Sequence, residues 1–231
     1  MEESKFFKLV WRFNGLIISI AGILAIIVLL FVSYKLIKDA TRERTVNNIV
    51  NVAEDTEVKE NWTLGSIYSV QGTSVLKAPL QSDQSYSRSY YSKSSTSTRN
   101  YLYINTQTYD KYWLFDHTNY LIEKSENIRK GDYSSKAPVI ATMFHLVKLD
   151  SNTDNHLTVS DHITIAFAKP NGTGYLEVLS GVEKFNSSEL ISDNEFLMIY
   201  QKNGSLYSAV INLQDFSLIE DASLPAVGEN K

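Results

Sequence analysis

Apolar and polar positions divide this chain into two parts with different periods. Gly15 to Tyr34 is an unbroken uncharged run of 20 residues, and at about 1.5 Å of rise per residue a helix of that length crosses a bilayer core of about 30 Å. The run is too long for the apolar core of a secretory leader. It ends in Tyr34-Lys35-Leu36-Ile37-Lys38 with no small-residue cleavage site, so it predicts an uncleaved transmembrane helix. Residues 1–14 set Phe6, Phe7, Trp11 and Phe13 among Lys5, Lys8 and Arg12, the composition of an interfacial tail. No Gly or Pro interrupts Lys35 to Asn51. The helix is therefore expected to continue to about residue 50, where Thr45, Asn47, Asn48 and Asn51 lower the propensity.

From Trp62 the period falls to two, and an antiparallel β domain is expected over residues 62–224, followed by a loose tail at 225–231. Thr63–Val70 and Thr73–Leu80 read as strands about a turn at Gln71-Gly72. Further strands are expected at Asn100–Thr106, Tyr112–Phe115, Tyr120–Ile128, Val139–Leu149, His162–Lys169, Tyr175–Leu179, Glu195–Gln201, Leu206–Leu213 and Leu218–Glu220. Lys202-Asn203-Gly204-Ser205 predicts a tight hairpin, because Asn-Gly supplies the positive φ of a type I′ turn. Gln81–Arg99 carries eight serines among Tyr86, Tyr90 and Tyr91. It reads as a long exposed loop or, less simply, as a Tyr-studded contact surface.

Composition narrows the function. Hydrophobic residues make up 43% and aromatics 12% of the chain, which argues for a packed domain over disorder. Residues 1–45 hold 7 Lys/Arg against 4 Asp/Glu, and residues 46–231 hold 15 against 22. The basic part flanks the apolar run, where anionic lipid attracts it; the acidic domain makes nucleic acid an unsuitable partner. The chain has no cysteine, which excludes disulfides and thiolate chemistry and suits an oxidising compartment such as a periplasm. Bases stand on both sides of the run, so the positive-inside rule does not orient it. The commoner single-pass plan puts the short tail in the cytoplasm and the domain outside, an inner-membrane protein facing the periplasm.

One stretch carries a chemical motif. Asp150, Asn152, Asp154, Thr158 and Asp161 place oxygens at positions 1, 3, 5, 9 and 12 of a twelve-residue loop, with the carbonyl of His156 at position 7. Calcium takes six to eight hard oxygens, and this spacing lets a short loop wrap the ion. Leu157 at position 8 would pin the loop to a core. The spacing resembles the EF-hand loop, and more closely its dockerin-like variant with Asp at position 12. Asn155 replaces the glycine at position 6, a residue that tolerates the left-handed conformation. An Asp/Asn-rich turn without metal is the alternative. The run from Leu149 to Ala166, with Pro170-Asn171-Gly172 and Tyr175-Leu-Glu-Val-Leu after it, resembles a blade of TolB-type or WD40-like bacterial β-propellers. That resemblance implies a partial propeller or, given the short domain, a sandwich.

No G-x-S-x-G, H-E-x-x-H or P-loop is present, and no nucleophile–base–orienter set can be named, so an enzyme is not expected. His145 alternates with Met143 and Val147 and reads as strand packing. Two functions follow as expectations. One is a membrane-anchored accessory or interaction subunit of a bacterial envelope complex, touching lipid and an envelope protein. The other is a calcium- or ligand-responsive sensor. Within the apolar run, Gly15, Ser19 and Gly22 fall at i, i+4 and i+7, a stripe that would let a partner helix approach closely, although small residues are also common in membrane helices.

Overall fold

A computed structural model describes residues 5–40, 44–47, 50–51, 59–88, 91–131 and 136–225. Two compact units result: the N-terminal helical segment with residues 87–92, and the rest of the chain from Arg44. Helix α1 spans Lys5–Ala40. Within it Phe7–Ile37, 31 residues, is long and apolar enough to cross a membrane, about 46 Å at 1.5 Å per residue. Large apolar side chains point outward all round it, from Trp11 at 81% exposed to Ile37 at 63%, as a helix solvated by lipid requires.

The helix stops about ten residues short of the expected end. Arg44–Asn47 forms strand β1, paired in parallel with Lys93–Thr96. Thr45 and Val46 are β-branched, and an open sheet edge satisfies their backbone better than another helical turn. Val50–Asn51 (β2) pairs with His156–Leu157 (β10), and Val50 is buried.

The largest sheet contains β1, β3 (Lys59–Leu64), β4 (Tyr68–Val70), β5 (Val75–Arg88), β6 (Tyr91–Asn105) and β7 (Lys111–Trp113). Here the expectation of a loop at 81–99 is overturned. Most of that stretch lies in two long strands separated only by residues 89 and 90, a link short enough only for an antiparallel pair. Serine content suggested a loop, but Ser85, Ser87 and Ser92, Ser94 recur every second residue, which a pleated strand accepts. Ser82 and Ser97 are buried, and the Thr96 hydroxyl donates to Asp83 Oδ1 at 2.6 Å.

Two four-stranded antiparallel sheets complete the domain. The middle one runs β12 (Leu176–Val182), β11 (Ile163–Ala168), β9 (Val139–Val147), β8 (Leu121–Arg129); the outer one runs β13 (Lys184–Leu190), β14 (Glu195–Lys202), β15 (Ser205–Asn212), β16 (Leu218–Ser223). Strand β13 lay in no sequence expectation, since its run Lys-Phe-Asn-Ser-Ser-Glu-Leu is largely polar and exposed. The Asn203-Gly204 turn is as expected, with φ 51° and 72° and Lys202 opposite Ser205.

The middle sheet is covered on both faces. Leu121, Met143, Val147, Ile165 and Phe167 share a core with Met198, Tyr200, Ala209 and Ile211 of the outer sheet. Ile122, Phe144, Leu146 and Ala166 pack with Val75, Tyr101 and Tyr103 of the large sheet. Every residue of β11 is consequently buried, and its sequence Ile-Thr-Ile-Ala-Phe-Ala is almost continuously apolar, as a strand sealed on both sides demands.

Candidate functional sites

The loop at 150–161 folds around its own amides. Asp161 is 1% exposed. Its Oδ1 accepts from the backbone N–H of Ser151 (2.7 Å) and Asn152 (3.2 Å) and from the Ser151 hydroxyl (3.1 Å), and its Oδ2 from the N–H of Thr158 (2.9 Å). Asp150 takes the N–H groups of Asp154 and Asn155, and Asp154 that of His156. Asn152 Oδ1 accepts from Asp154 N–H at 3.0 Å, and the Thr158 hydroxyl from Ser160 N–H. Asn155 takes the left-handed conformation at φ 63°, as does Thr153 at 60°. Leu157 is buried beside Val50 in the main core, so the apolar position does fasten the loop. As folded, both carboxylate oxygens of Asp150 and of Asp161 and one oxygen each of Asn152, Asp154 and Thr158 accept from backbone N–H groups, and among the described residues no three His, Asp or Glu side chains gather where they could hold an ion.

On α1 the Ser19 hydroxyl donates to the Gly15 carbonyl at 2.9 Å. A Cβ placed at Gly15 or Gly22 would meet no atom within 4 Å, so the three small residues form a shallow open strip.

Two features escaped the sequence. Lys77 on β5 is 1% exposed. Its ammonium lies 4.0 Å from the centre of the Tyr101 ring, 4.8 Å from that of Phe144 and 5.7 Å from that of Tyr103. It donates one hydrogen bond, to Ser125 Oγ at 2.7 Å, and no carboxylate pairs with it among the described residues. Burial pulls its pKa from 10.5 to about 7 and pushes the Tyr101 and Tyr103 hydroxyls up, each time because the charged form loses its water. The available signal was parity: Lys77 shares its face with Val75 in an alternating strand.

The second feature is a cleft of about 540 Å³ between β8 and β13, with His145 in its wall. His145 is buried, as its alternation with Met143 and Val147 implied. Its Nδ1 lies 3.5 Å from Glu123 Oε2, its ring lies 4.6 Å centre to centre from Phe185, and its Nε2 has no hydrogen-bond partner among the described residues. A second cleft of about 460 Å³ follows along the same two strands.

No family model, curated protein or solved structure matches the chain, so what these sites do rests on their own chemistry.

Proposed function

We propose that this protein is a single-pass, non-enzymatic interaction or accessory subunit of an envelope complex, with α1 in the inner membrane and the β domain on the periplasmic side. The observation that carries this reading is the large sheet's display of Trp62 (42% exposed), Leu64 (47%), Tyr68 (40%) and Trp113 (43%), with Ile67 (52%) in the link between β3 and β4. Four large apolar side chains on the strands of one sheet, with a fifth in the adjoining link, are of the kind a protein-binding surface uses, with Trp and Tyr enriched. The all-round apolar helix supports the anchor. Extraction of the tagged chain in mild detergent tests the reading: a stoichiometric partner is expected, lost on Trp62→Ser with Trp113→Ser, and recovery of this chain alone overturns it. Because the chain lacks cysteine, one introduced at exposed Ser151 and probed with a membrane-impermeant maleimide reads the sidedness.

The calcium-responsive reading has one supporting observation, the sequence of oxygens at 150–161. It requires Asp150, Asp154 and Asp161 to bring oxygen lone pairs that the backbone amides leave to one ion. Calorimetry with millimolar calcium decides it, since absence of both heat and a melting shift removes it.

A further inference from the structure

We infer that the free edge of β3 is an interface at which a second copy of this chain pairs its own β3, antiparallel, about a two-fold axis through Trp62. The sheet edges of this protein are guarded unequally. In the two four-stranded sheets the edge strands β12, β8, β13 and β16 each carry a register shift and charged residues such as Glu177, Lys124, Lys184 and Glu220. Bulges and charges of this kind keep an edge from pairing with another chain. In the large sheet β1 and β7 are only four and three residues long and bear Arg44 and Lys111. The edge that β3 and β4 form along β5 has no such guard. Its register against β5 runs without a shift over Lys59–Leu64 and Tyr68–Val70, and no charge or proline falls between Asn61 and Val70. Asn61, Trp62, Thr63 and Leu64 are all exposed, so both faces of the strand are open, and among the described residues β3 pairs only with β5.

The ladder fixes which backbone groups are free. The Gly65 N–H donates to the Pro79 carbonyl at 2.8 Å. By alternation Thr63, Asn61 and Lys59 also turn their N–H and C=O groups toward β5, and Glu60, Trp62 and Leu64 turn theirs outward. That outward set is symmetric about Trp62. A two-fold axis there sets Glu60 against Leu64 of the second copy, Trp62 against Trp62, and Leu64 against Glu60. These are three hydrogen-bonded pairs, with about six hydrogen bonds at two per pair.

The same register opposes no like charges. Lys59 and Glu60 stand at one end of the strand and fall opposite Gly65 and Leu64 of the other copy, and Glu60 lies 3.7 Å from Arg99 of its own sheet. The two Trp62 side chains share a face across the axis, an aromatic cross-strand pair. An edge that satisfies itself in this way selects its own copy as occupant, and the contact closes as an isologous dimer. The inference takes from the reading above only the shared membrane, which keeps copies together, and names a partner that reading does not.

Because the chain has no cysteine, introduced cysteines can read the register in the full chain in detergent micelles. Asn61→Cys and Thr63→Cys form a directly opposed pair, about 4.5 Å between Cα atoms. Either variant paired with itself lies on a diagonal of about 7–8 Å, too far for an unstrained disulfide. Oxidised together with copper phenanthroline and air, the two variants are expected to give a covalent dimer, and each alone several-fold less. Sedimentation of the cysteine-free chain should show a dimer. Leu64→Glu, an exposed change that faces Glu60 at both ends of the pairing, should weaken the dimer about tenfold, whereas Leu64→Lys should preserve it. A monomer at all concentrations overturns the proposal. So does a dimer that ignores Leu64→Glu and cross-links without preference for the mixed pair, which places the contact elsewhere, as along α1. A foreign protein recovered with a monomeric chain removes this inference and leaves the accessory-subunit reading standing. A register-specific dimer recovered without a foreign protein does the reverse.

Discussion

Replacing Lys77 with Met should make this protein more stable at pH 6 and remove most of its pH dependence between 6 and 9. The ammonium sits among Tyr101, Phe144 and Tyr103 with a single neutral hydrogen-bond partner. Its pKa in the fold is about 7 against the usual 10.5, which at about 1.36 kcal/mol per unit corresponds to an upper bound of about 5 kcal/mol against the charged form. The ring faces return about 2 kcal/mol through cation–π attraction in a desolvated site, leaving a net cost of about 3 kcal/mol. The sign follows from the direction of the shift. A folded pKa below the unfolded one means that the cost is absent above about 10.5, grows as pH falls, and is complete below about 7. The wild-type chain should therefore gain about 2 kcal/mol between pH 6 and pH 9. Met matches the length of Lys without the charge and fills the cage with apolar contacts; the lost hydrogen bond to Ser125 costs about 1 kcal/mol. Lys77→Met is thus expected to be more stable by about 1–2 kcal/mol at pH 6 and close to wild type at pH 9. Urea unfolding in micelles, followed by far-ultraviolet circular dichroism at both pH values, measures this. A variant less stable at both, or a wild-type curve flat over this range, refutes the reasoning.

Asp161→Asn keeps an acceptor toward Ser151 and Asn152 but turns an amide N–H₂ on the N–H of Thr158, and should cost about 2 kcal/mol by the same unfolding assay; if the loop works without metal, chelator and calcium leave both proteins' transitions where they are. Gly172→Ala should cost about 3 kcal/mol, since its φ is +83° and the new Cβ would stand 2.5 Å from the buried Tyr103 ring. Gly204→Ala, at φ +72° with nothing within 4 Å, should cost only the backbone component of about 1 kcal/mol, and equal losses at the two sites would discredit the packing argument. Gly22→Ile should leave membrane insertion intact and weaken a complex that uses the small-residue strip; an unchanged complex in detergent returns the helix to being an anchor alone.

Local rules placed what depends on neighbouring residues only. An uncharged run fixes a membrane-length helix because no side chain in it would be better off in water. Asn203-Gly204 fixes a hairpin because its two φ values are cheap there, and the runs at 121–129, 139–147, 163–168 and 195–202 alternate or stay apolar as strands must. Burial of His145 and of Leu157 could also be read from parity and position. The tertiary structure decided whatever depended on a distant partner. Residues 44–47 leave the helix because β6 offers them hydrogen bonds, and the described serines of 81–99 are strand residues because β5 and β6 lie side by side. Asp161 turns inward because the N–H groups of Ser151, Asn152 and Thr158 converge on it, where spacing alone described calcium ligands just as well. Lys77 sits in an aromatic cage built from two other strands, and β8 and β13 line one cleft although they lie far apart in sequence. A pattern of residue types records each position's preference for water or for a neighbour; which neighbour answers it is set by how the sheets stack.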